Sequence, residues 1–305
     1  MKIPFVDLKR EANTCIDELI TSTKEVLTSG IYINGPKVKE FEARIADYLN
    51  VKHVISLGNG SDGLTFIMKS LNLKESDEVI CPANSFIASS WSIEAAGLKP
   101  VFCDVGDDLL IDINDLKRKI NKNTKAVMAV HLTGRICDMH NLKKICEENG
   151  LYLIEDSAQA FGASDQNNQK AGSFSSAASF SMHPLKNFAV YGDGGFVSTN
   201  DSNLAENIRL LRNHGLKNRD ESIIWGYNSR LDELQASFAL VKLKYIDNWT
   251  IKYSNIAKKY TEGLSDLIKK PSYREKSNDV YHNYVILVKK ECRDLIMARL
   301  LEMGI

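Results

Sequence analysis

No charge of one sign dominates this sequence. Lys plus Arg and Asp plus Glu each total 39, so the formal net charge is zero. A chain without a basic surplus draws no polyanion to its surface, which excludes nucleic acid as the expected partner. No apolar run reaches the length of a membrane span, and MKIPFVDLKREANTC at the N-terminus lacks the apolar core of a signal peptide. The expectation is a cytoplasmic protein with no membrane partner. The six cysteines, Cys15, Cys81, Cys103, Cys137, Cys146 and Cys292, lack the paired spacing of a zinc site and read as reduced thiols. No metal-binding set emerges, and internal repeats and low-complexity tracts are absent.

What the chain does have is alternation. Helical spacing covers 11–29, with apolar residues at Ile16, Leu19, Ile20 and Leu27, and 36–49, which starts at a proline. Short apolar runs follow at 54–57, 78–81, 101–105, 126–130 and 151–155, separated by helical stretches at 62–71, 87–96, 114–120 and 139–148. Such alternation predicts an α/β fold, a mainly parallel sheet covered by helices on both faces. Two further strands, 177–181 and 195–199, come with no full helix between them. From Arg230 a long helical region reaches past Lys259 and bridges to a second domain, with a strand at 281–288 and a helix from Glu291. The expected division is a large domain over 1–249 and a small one over 250–305. The small one holds too little for an independent core, so it either leans on the large domain or is incomplete.

In open parallel sheets, ligands sit beyond the carboxyl ends of the strands. After the first strand comes GNGSDGL, 58–64. Its glycines, with Ser61 and Asp62 at a helix start, offer free backbone N–H groups and a positive dipole end, which suits a phosphate. An ordinary glycine turn with Ser61 as helix N-cap is the plain alternative. The segment has no Walker lysine and is not the glycine fingerprint that a nicotinamide-dependent enzyme would need. CPANSFIAS, 81–89, puts Phe86 where a loop meets a helix. Facing the site, its ring stacks on a flat ligand; facing inward, it is core. LIEDSAQAFG, 153–162, closes a buried strand with two carboxylates. A buried acid needs a partner. Asp156 suits a protonated ring nitrogen and Gln159 a ring oxygen; a helix N-cap and a surface amide are the alternatives.

SFSMHPLKNFAVYGDGG, 179–195, holds a lone lysine, Lys186, after a strand ending at Ser181. A solvated lysine is the plain reading. Surrounded by protein, however, the amine loses solvation, its pKa falls, and it can form a Schiff base with an aldehyde. Ser181 offers a hydroxyl nearby. A phosphate cradle, an aromatic plate, an acid for a ring nitrogen and a Schiff-base lysine together match the parts of pyridoxal 5′-phosphate.

With these segments the sequence resembles the DegT/DnrJ/StrS family of pyridoxal-phosphate sugar aminotransferases. The resemblance runs from PFVDLK (4–9) to the last residue. In order it takes in GNGSDGL, CPANSFIAS, VHLTGRICDM, IEDSAQAFGA, SFSMHPLKN, GDGGFVST, LRNHG and GYNSRLDELQA. It implies the aspartate-aminotransferase architecture, fold type I. That is a three-layer α/β/α large domain plus a small C-terminal α/β domain, here ending short of where family members continue. It implies that Lys186 is the Schiff-base lysine and Asp156 the pyridinium partner. Gln159 would lie near the ring hydroxyl and Phe86 on the ring. Ser61, Asp62 and Ser181 would hold the phosphate. Asn228 would reach the phosphate of the neighbouring subunit, which implies a homodimer with a shared site. Three positions depart from the family: Phe161 stands where histidine is frequent, Asp193 where glutamate is usual, and Gly63 where alanine is common. The last should weaken the helix start slightly.

The activity implied is transfer of an amino group from L-glutamate to a nucleotide-linked 3-keto or 4-keto 6-deoxyhexose, for an amino sugar of O-antigen, a related glycan or a secondary metabolite. His183 is close enough in sequence to touch the sugar or its phosphates, or else is a structural loop residue. Two rivals remain. One is a sugar dehydratase of the same family, whose members carry histidine where this chain has Lys186. The other is a truncated, non-catalytic or regulatory protein that binds pyridoxal phosphate.

Overall fold

The computed structural model describes residues 3–272, 274 and 277–305. The alternation resolves into a seven-stranded sheet and its helices. The first helical stretch divides into α1 (Leu8–Asn13) and α2 (Ile16–Ser29), and α3 (Pro36–Leu49) follows. Then come β1 (His53–Leu57), α4 (Gly60–Ser70), β2 (Glu78–Pro82), α5 (Ile87–Ala95), β3 (Lys99–Cys103) and α6 (Ile113–Lys119). The run continues with β4 (Thr124–Val130), α7 (Met139–Asn149), β5 (Tyr152–Asp156), β6 (Ala177–Ser181) and β7 (Gly195–Thr199). Sequence periodicity did not mark α8 (Ser202–Arg212), which starts on an Asp201 side-chain cap. The long helical region breaks at Lys244 and Tyr245 into α9 (Glu233–Leu243) and α10 (Ile246–Gly263), and α11 (Lys290–Glu302) comes last.

Period-two side-chain alternation sorts the sheet into two faces. On β2, Val79 and Cys81 join one core with Leu64 and Ile67 of α4, Ile93 of α5 and Ile208 of α8. Ile80, between them, faces the other side, with Leu116 of α6 and Leu142 of α7. Farther along that second face, Phe180 and Phe196 pack on Phe41 and Ile45 of α3 and Ala239 of α9. The molecule is thus the three-layer α/β/α arrangement expected.

The strand order is β1-β7-β6-β5-β4-β2-β3. β7 runs antiparallel to both β1 and β6, and the other pairings are parallel. Six strands therefore point one way, and the loops leaving β1, β2, β4, β5 and β6 open on one edge. A long-range tie holds α3 to α9. The Glu233 carboxylate, 1% exposed, accepts N–H bonds from Gly35 (2.8 Å), Lys37 (2.8 Å) and Val38 (3.0 Å). It thereby satisfies first-turn donors of α3 that have no intrahelical acceptor.

The strand expected at 281–288 does not form. Among the described residues its only ladder contact is one antiparallel bridge, Lys269 to Leu287. A lone pair of short segments is too little for a stable sheet. The residues just before it dock on the turn after β4 instead. Val280 N donates to Gly134 O (3.0 Å), and the buried Arg135 and Asp279 side chains meet at 2.9 Å. α10 runs through residues 249 and 250, and α11 buries no residue.

Two outcomes follow from this packing. A Cβ on Gly63 would lie 2.3 Å from Ser179 Oγ, which donates to Gly60 O at 2.8 Å. Gly63→Ala should therefore forfeit its helix-propensity gain of about 1 kcal/mol. In a Ser179→Ala background the Oγ contact is gone while the Cβ of residue 179 and Val197 Cγ2 stay at 3.2 Å, so the same change should be less costly than in the wild-type chain, a coupling that a double-mutant cycle in urea measures. The second outcome concerns His282, whose imidazole is pushed from 6.5 down to about 4 by burial first and by the charge of Lys186 second. Between those pH values the unfolded chain binds a proton that the folded chain refuses. Stability should fall as pH drops through that window, by about 3 kcal/mol in all, and fall no further on this account below it. Denaturant titrations from pH 7 to 4 should show a shallower loss in His282→Asn.

Candidate active site

The loop after β1 makes the turn expected of a phosphate cradle, with one correction. Asn59 caps α4, not Ser61: its Oδ1 accepts the Asp62 N–H at 2.8 Å. The Asp62 carboxylate turns away, accepting Asn59 Nδ2 (2.9 Å) and Ser229 Oγ (2.6 Å). An anion arriving here meets the first-turn amides of α4 around Gly60 and half-buried Ser61, which have no intrahelical acceptors. Glycine is required at the closest approach. A Cβ on Gly60 would lie 3.0 Å from Ser181 Cβ, and one on Gly195 would lie 2.6 Å from Gly60 N. The turn after β1 and the end of β6 are thereby pressed together, bringing Ser61 and Ser181 to one place.

At the end of β5, Asp156 is 6% exposed. It caps no helix. Its Oδ1 accepts the Ala158 N–H (3.2 Å) and its Oδ2 the Ser89 hydroxyl (2.7 Å). The neighbouring Glu155 points to the other face. Burial pushes its carboxyl up, but bonds from His131 Nε2 (2.9 Å), Gly172 N (2.7 Å) and Ser175 Oγ (2.8 Å) hold it below the ordinary range. Gln159 is not a free surface amide. Its Oε1 accepts the N–H of Thr133 at 2.7 Å, in the turn after β4 where Thr133 takes a left-handed φ of 63°.

Lys186 lies on the loop between β6 and β7. Its N–H donates to His183 O (2.8 Å), and the next residue, Asn187, donates from Nδ2 to Phe161 O (2.7 Å). Phe161 is buried, with its ring stacked 4.2 Å from that of Phe188 and 5.0 Å from that of Tyr48. An apolar ring at this position is therefore part of the wall behind the lysine. Burial pushes the Lys186 amine below its ordinary value, and the Asp156 charge opposes that shift. Phe86 leaves its ring 67% exposed at the mouth. His183 is exposed, with Nδ1 turned to Leu185 N at 3.3 Å. Asn228 is also exposed, on a bridge with Asn213.

The edge thus gathers the glycine turn, Ser181, Asp156, Gln159 and Lys186, and leaves Phe86, His183 and Asn228 at the rim. Sequence reasoning missed Asn59, Ser89, Thr133, Ser229 and His282. Ser89 had a signal, standing one helical turn after Phe86; Ser229 and His282 had none, because their neighbours are far away in sequence. The set fits pyridoxal 5′-phosphate: the cradle that a Cβ on Gly60 would crowd suits a phosphate, and the half-buried Lys186 amine lies within reach of the Asp156 charge.

Comparison with known proteins agrees. The chain is 39% identical to a pleiotropic regulatory protein of Geobacillus stearothermophilus, covering 100% of the chain and 82% of the relative. It is 36% identical to a dTDP-3-amino-3,4,6-trideoxy-alpha-D-glucose transaminase of Streptomyces venezuelae, covering 100% of the chain and 80% of the relative. The crystal structure of S. venezuelae DesV in complex with a ketimine intermediate superposes with a TM-score of 0.96 at 35% identity, over 99% of this chain and 82% of that one. Residues 13–305 match the model of the DegT/DnrJ/EryC1/StrS aminotransferase family, and the chain belongs to that family: it is an aminotransferase whose cofactor is pyridoxal 5′-phosphate.

Proposed function

We propose that this aminotransferase moves an amino group from L-glutamate to the keto carbon of a nucleotide-linked 6-deoxyhexose, in the making of an amino sugar for a glycan such as O-antigen or for a secondary metabolite. The observation that carries the reading is Lys186, a desolvated amine beside Asp156 at the carboxyl edge of the sheet. The Streptomyces relative is named for a sugar aminated at position 3, which supports a 3-keto substrate over a 4-keto one. Histidine at position 186 would have supported dehydration.

When bound, the cofactor supplies an aldehyde that condenses with amines and a ring that takes up the electron pair left by a departing proton. The chain's residues do the rest. Lys186, its proton affinity lowered by burial, removes the proton from the donor Cα and later delivers one to the sugar carbon being aminated. Asp156 balances positive charge at the ring nitrogen, Gln159 faces the ring oxygen, and Phe86 covers the ring face. Ser61, Asp62 and Ser181 frame the phosphate, met mainly by backbone N–H. His183, at the rim, is placed for the sugar or its phosphates.

The proposed assembly is a homodimer with shared sites, in which Asn228 of one subunit reaches the phosphate held by the other. Exposed apolar side chains support it: Phe86 and Ile87 at the mouth, and Trp225 (98% exposed) and Tyr227 in the segment that carries Asn228. A large domain over 1–249 and a small one over 250–305 remain the proposed division. No helix among the described residues is long and apolar enough to cross a membrane. Burial pushes the thiols of Cys81, Cys103 and Cys146 up to about 12, and free, inert thiols of this kind suit a reducing cytoplasm.

The regulatory name of the Geobacillus relative motivates a non-catalytic second reading, and one experiment separates the two. The purified protein with pyridoxal 5′-phosphate should turn yellow, bleach on adding glutamate, and aminate a member of a nucleotide keto-sugar panel. Lys186→Ala should lower turnover roughly a thousandfold or more. Colour with neither bleaching nor turnover on any sugar would favour the regulatory reading; no colour would remove both. The shared site has its own test. Lys186→Ala and Asn228→Asp should each be impaired, and co-expression should give mixed dimers that recover activity neither has alone. No recovery would mean that each chain carries a whole site.

A further inference from the structure

We propose that Ser89 is a positioning residue that keeps the carboxylate of Asp156 the charged member of its pair with the cofactor ring nitrogen. The inference deepens the proposed function and rests on its assignment of Asp156 to that nitrogen. α5 starts at Ile87 with Phe86 as its N-cap residue, and no side chain caps it. Ser89 lies in the first turn, its N–H bonded to Phe86 O at 3.0 Å. Serines so placed commonly bond locally, and Ser90 does so, with Oγ on Ile87 O at 3.3 Å. Ser89 does not. It is 0% exposed, and its Oγ crosses from α5 to the end of β5 to meet Asp156 Oδ2 at 2.7 Å.

An ionised carboxylate only accepts hydrogen bonds, so the hydroxyl is the donor and the bond is charge-assisted. The Ala158 N–H holds the other oxygen at 3.2 Å. With a donor on each oxygen, the carboxylate plane is fixed. Each oxygen keeps lone-pair capacity for one more donor, such as a ring N–H. Hydrogen bonds to the charged form of an acid favour that form. The Ser89 hydroxyl thus biases a shared proton away from Asp156 and onto the ring nitrogen, where it makes the ring a better electron acceptor. The same turn carries Phe86, so the residue proposed to cover the ring and the anchor of its acid partner move as one rigid unit.

The test uses full-length holoenzyme loaded with pyridoxal 5′-phosphate labelled with ¹⁵N in the ring. The ring resonance reports where the proton sits, independently of turnover. In Ser89→Ala it should move toward the value of an unprotonated pyridine, corresponding to a roughly tenfold change in the proton's distribution, or about one pH unit. Ser89→Thr, which restores the hydroxyl, should return the wild-type resonance, and Ser89→Cys, with a weak donor, should fall between. Asp156→Asn is the control for the underlying assignment. If Asp156→Asn moves the resonance and Ser89→Ala, folded with unchanged melting temperature, does not, the role of Ser89 is overturned while the reading of Asp156 stands. If Asp156→Asn leaves the resonance unmoved, both fall together. Should Ser89→Ala prove unstable, an unmoved resonance in Ser89→Cys overturns the inference alone.

Discussion

The constraint on which the site depends is the removal of an amine from water beside a carboxylate. Lys186 could keep an ordinary lysine's charge only in solvent; burial lowers its proton affinity, and the nearby Asp156 restores part of it. Neither group could be placed alone. An isolated buried carboxylate is costly, and Asp156 is 6% exposed, so it needs the Ser89 hydroxyl and the Ala158 N–H as well as whatever positive group binds opposite. The sheet makes this placement possible. Six strands share one direction, so the residues that leave their carboxyl ends converge although they are spread from Gly58 to Lys186 along the chain. β7 is the exception that completes the arrangement. Running back between β1 and β6, it brings Gly195 against Gly60 and closes the turn that faces the lysine.

Much of this is legible in the sequence. The strand–helix alternation gave the three layers, and the polar residues at strand ends gave Asp156, Gln159, Ser181 and Lys186. What periodicity could not carry was pairing between distant segments. The expected strand at 281–288 has the right residues, but a strand is a relation between two segments, and among the described residues only Lys269 bridges to it, at Leu287. Ser61 looked like a cap by residue type; the turn geometry gave that role to Asn59 two residues earlier. Gly63 looked like a slightly weakened helix start. Its absent Cβ is the space in which Ser179 Oγ reaches Gly60 O. The roles of Asn228 and of the dimer came from resemblance alone, since no property of an exposed asparagine distinguishes a ligand from a turn.

The departure at Phe161 illustrates how a site tolerates change behind its reacting groups. The family resemblance leads to an expectation of histidine there, yet here the position sits between Tyr48 and Phe188 in an apolar stack. A polar ring in that stack would need partners that Phe180 and Phe196, edge-on at 5.9 and 6.0 Å, do not supply. Position 161 also supplies its backbone carbonyl, which accepts from Nδ2 of Asn187, the residue after the lysine, and any residue offers that.

The same logic separates what is fixed from what is free across the whole site. Groups proposed to touch the cofactor's ring nitrogen, ring oxygen and phosphate are pinned by bonds from other elements: Asp156 by Ser89, Gln159 by Thr133, the glycine turn by Ser179 and Ser229. Groups at the rim, Phe86, His183 and Asn228, are exposed and lightly held. Reaction type depends on the first set, because electron flow through the ring requires fixed charges at fixed atoms. Choice of sugar would depend on the second, where side chains can change without disturbing a buried carboxylate or a desolvated amine. A scaffold divided this way can keep one amine-transfer chemistry while its rim is refitted from one nucleotide sugar to another.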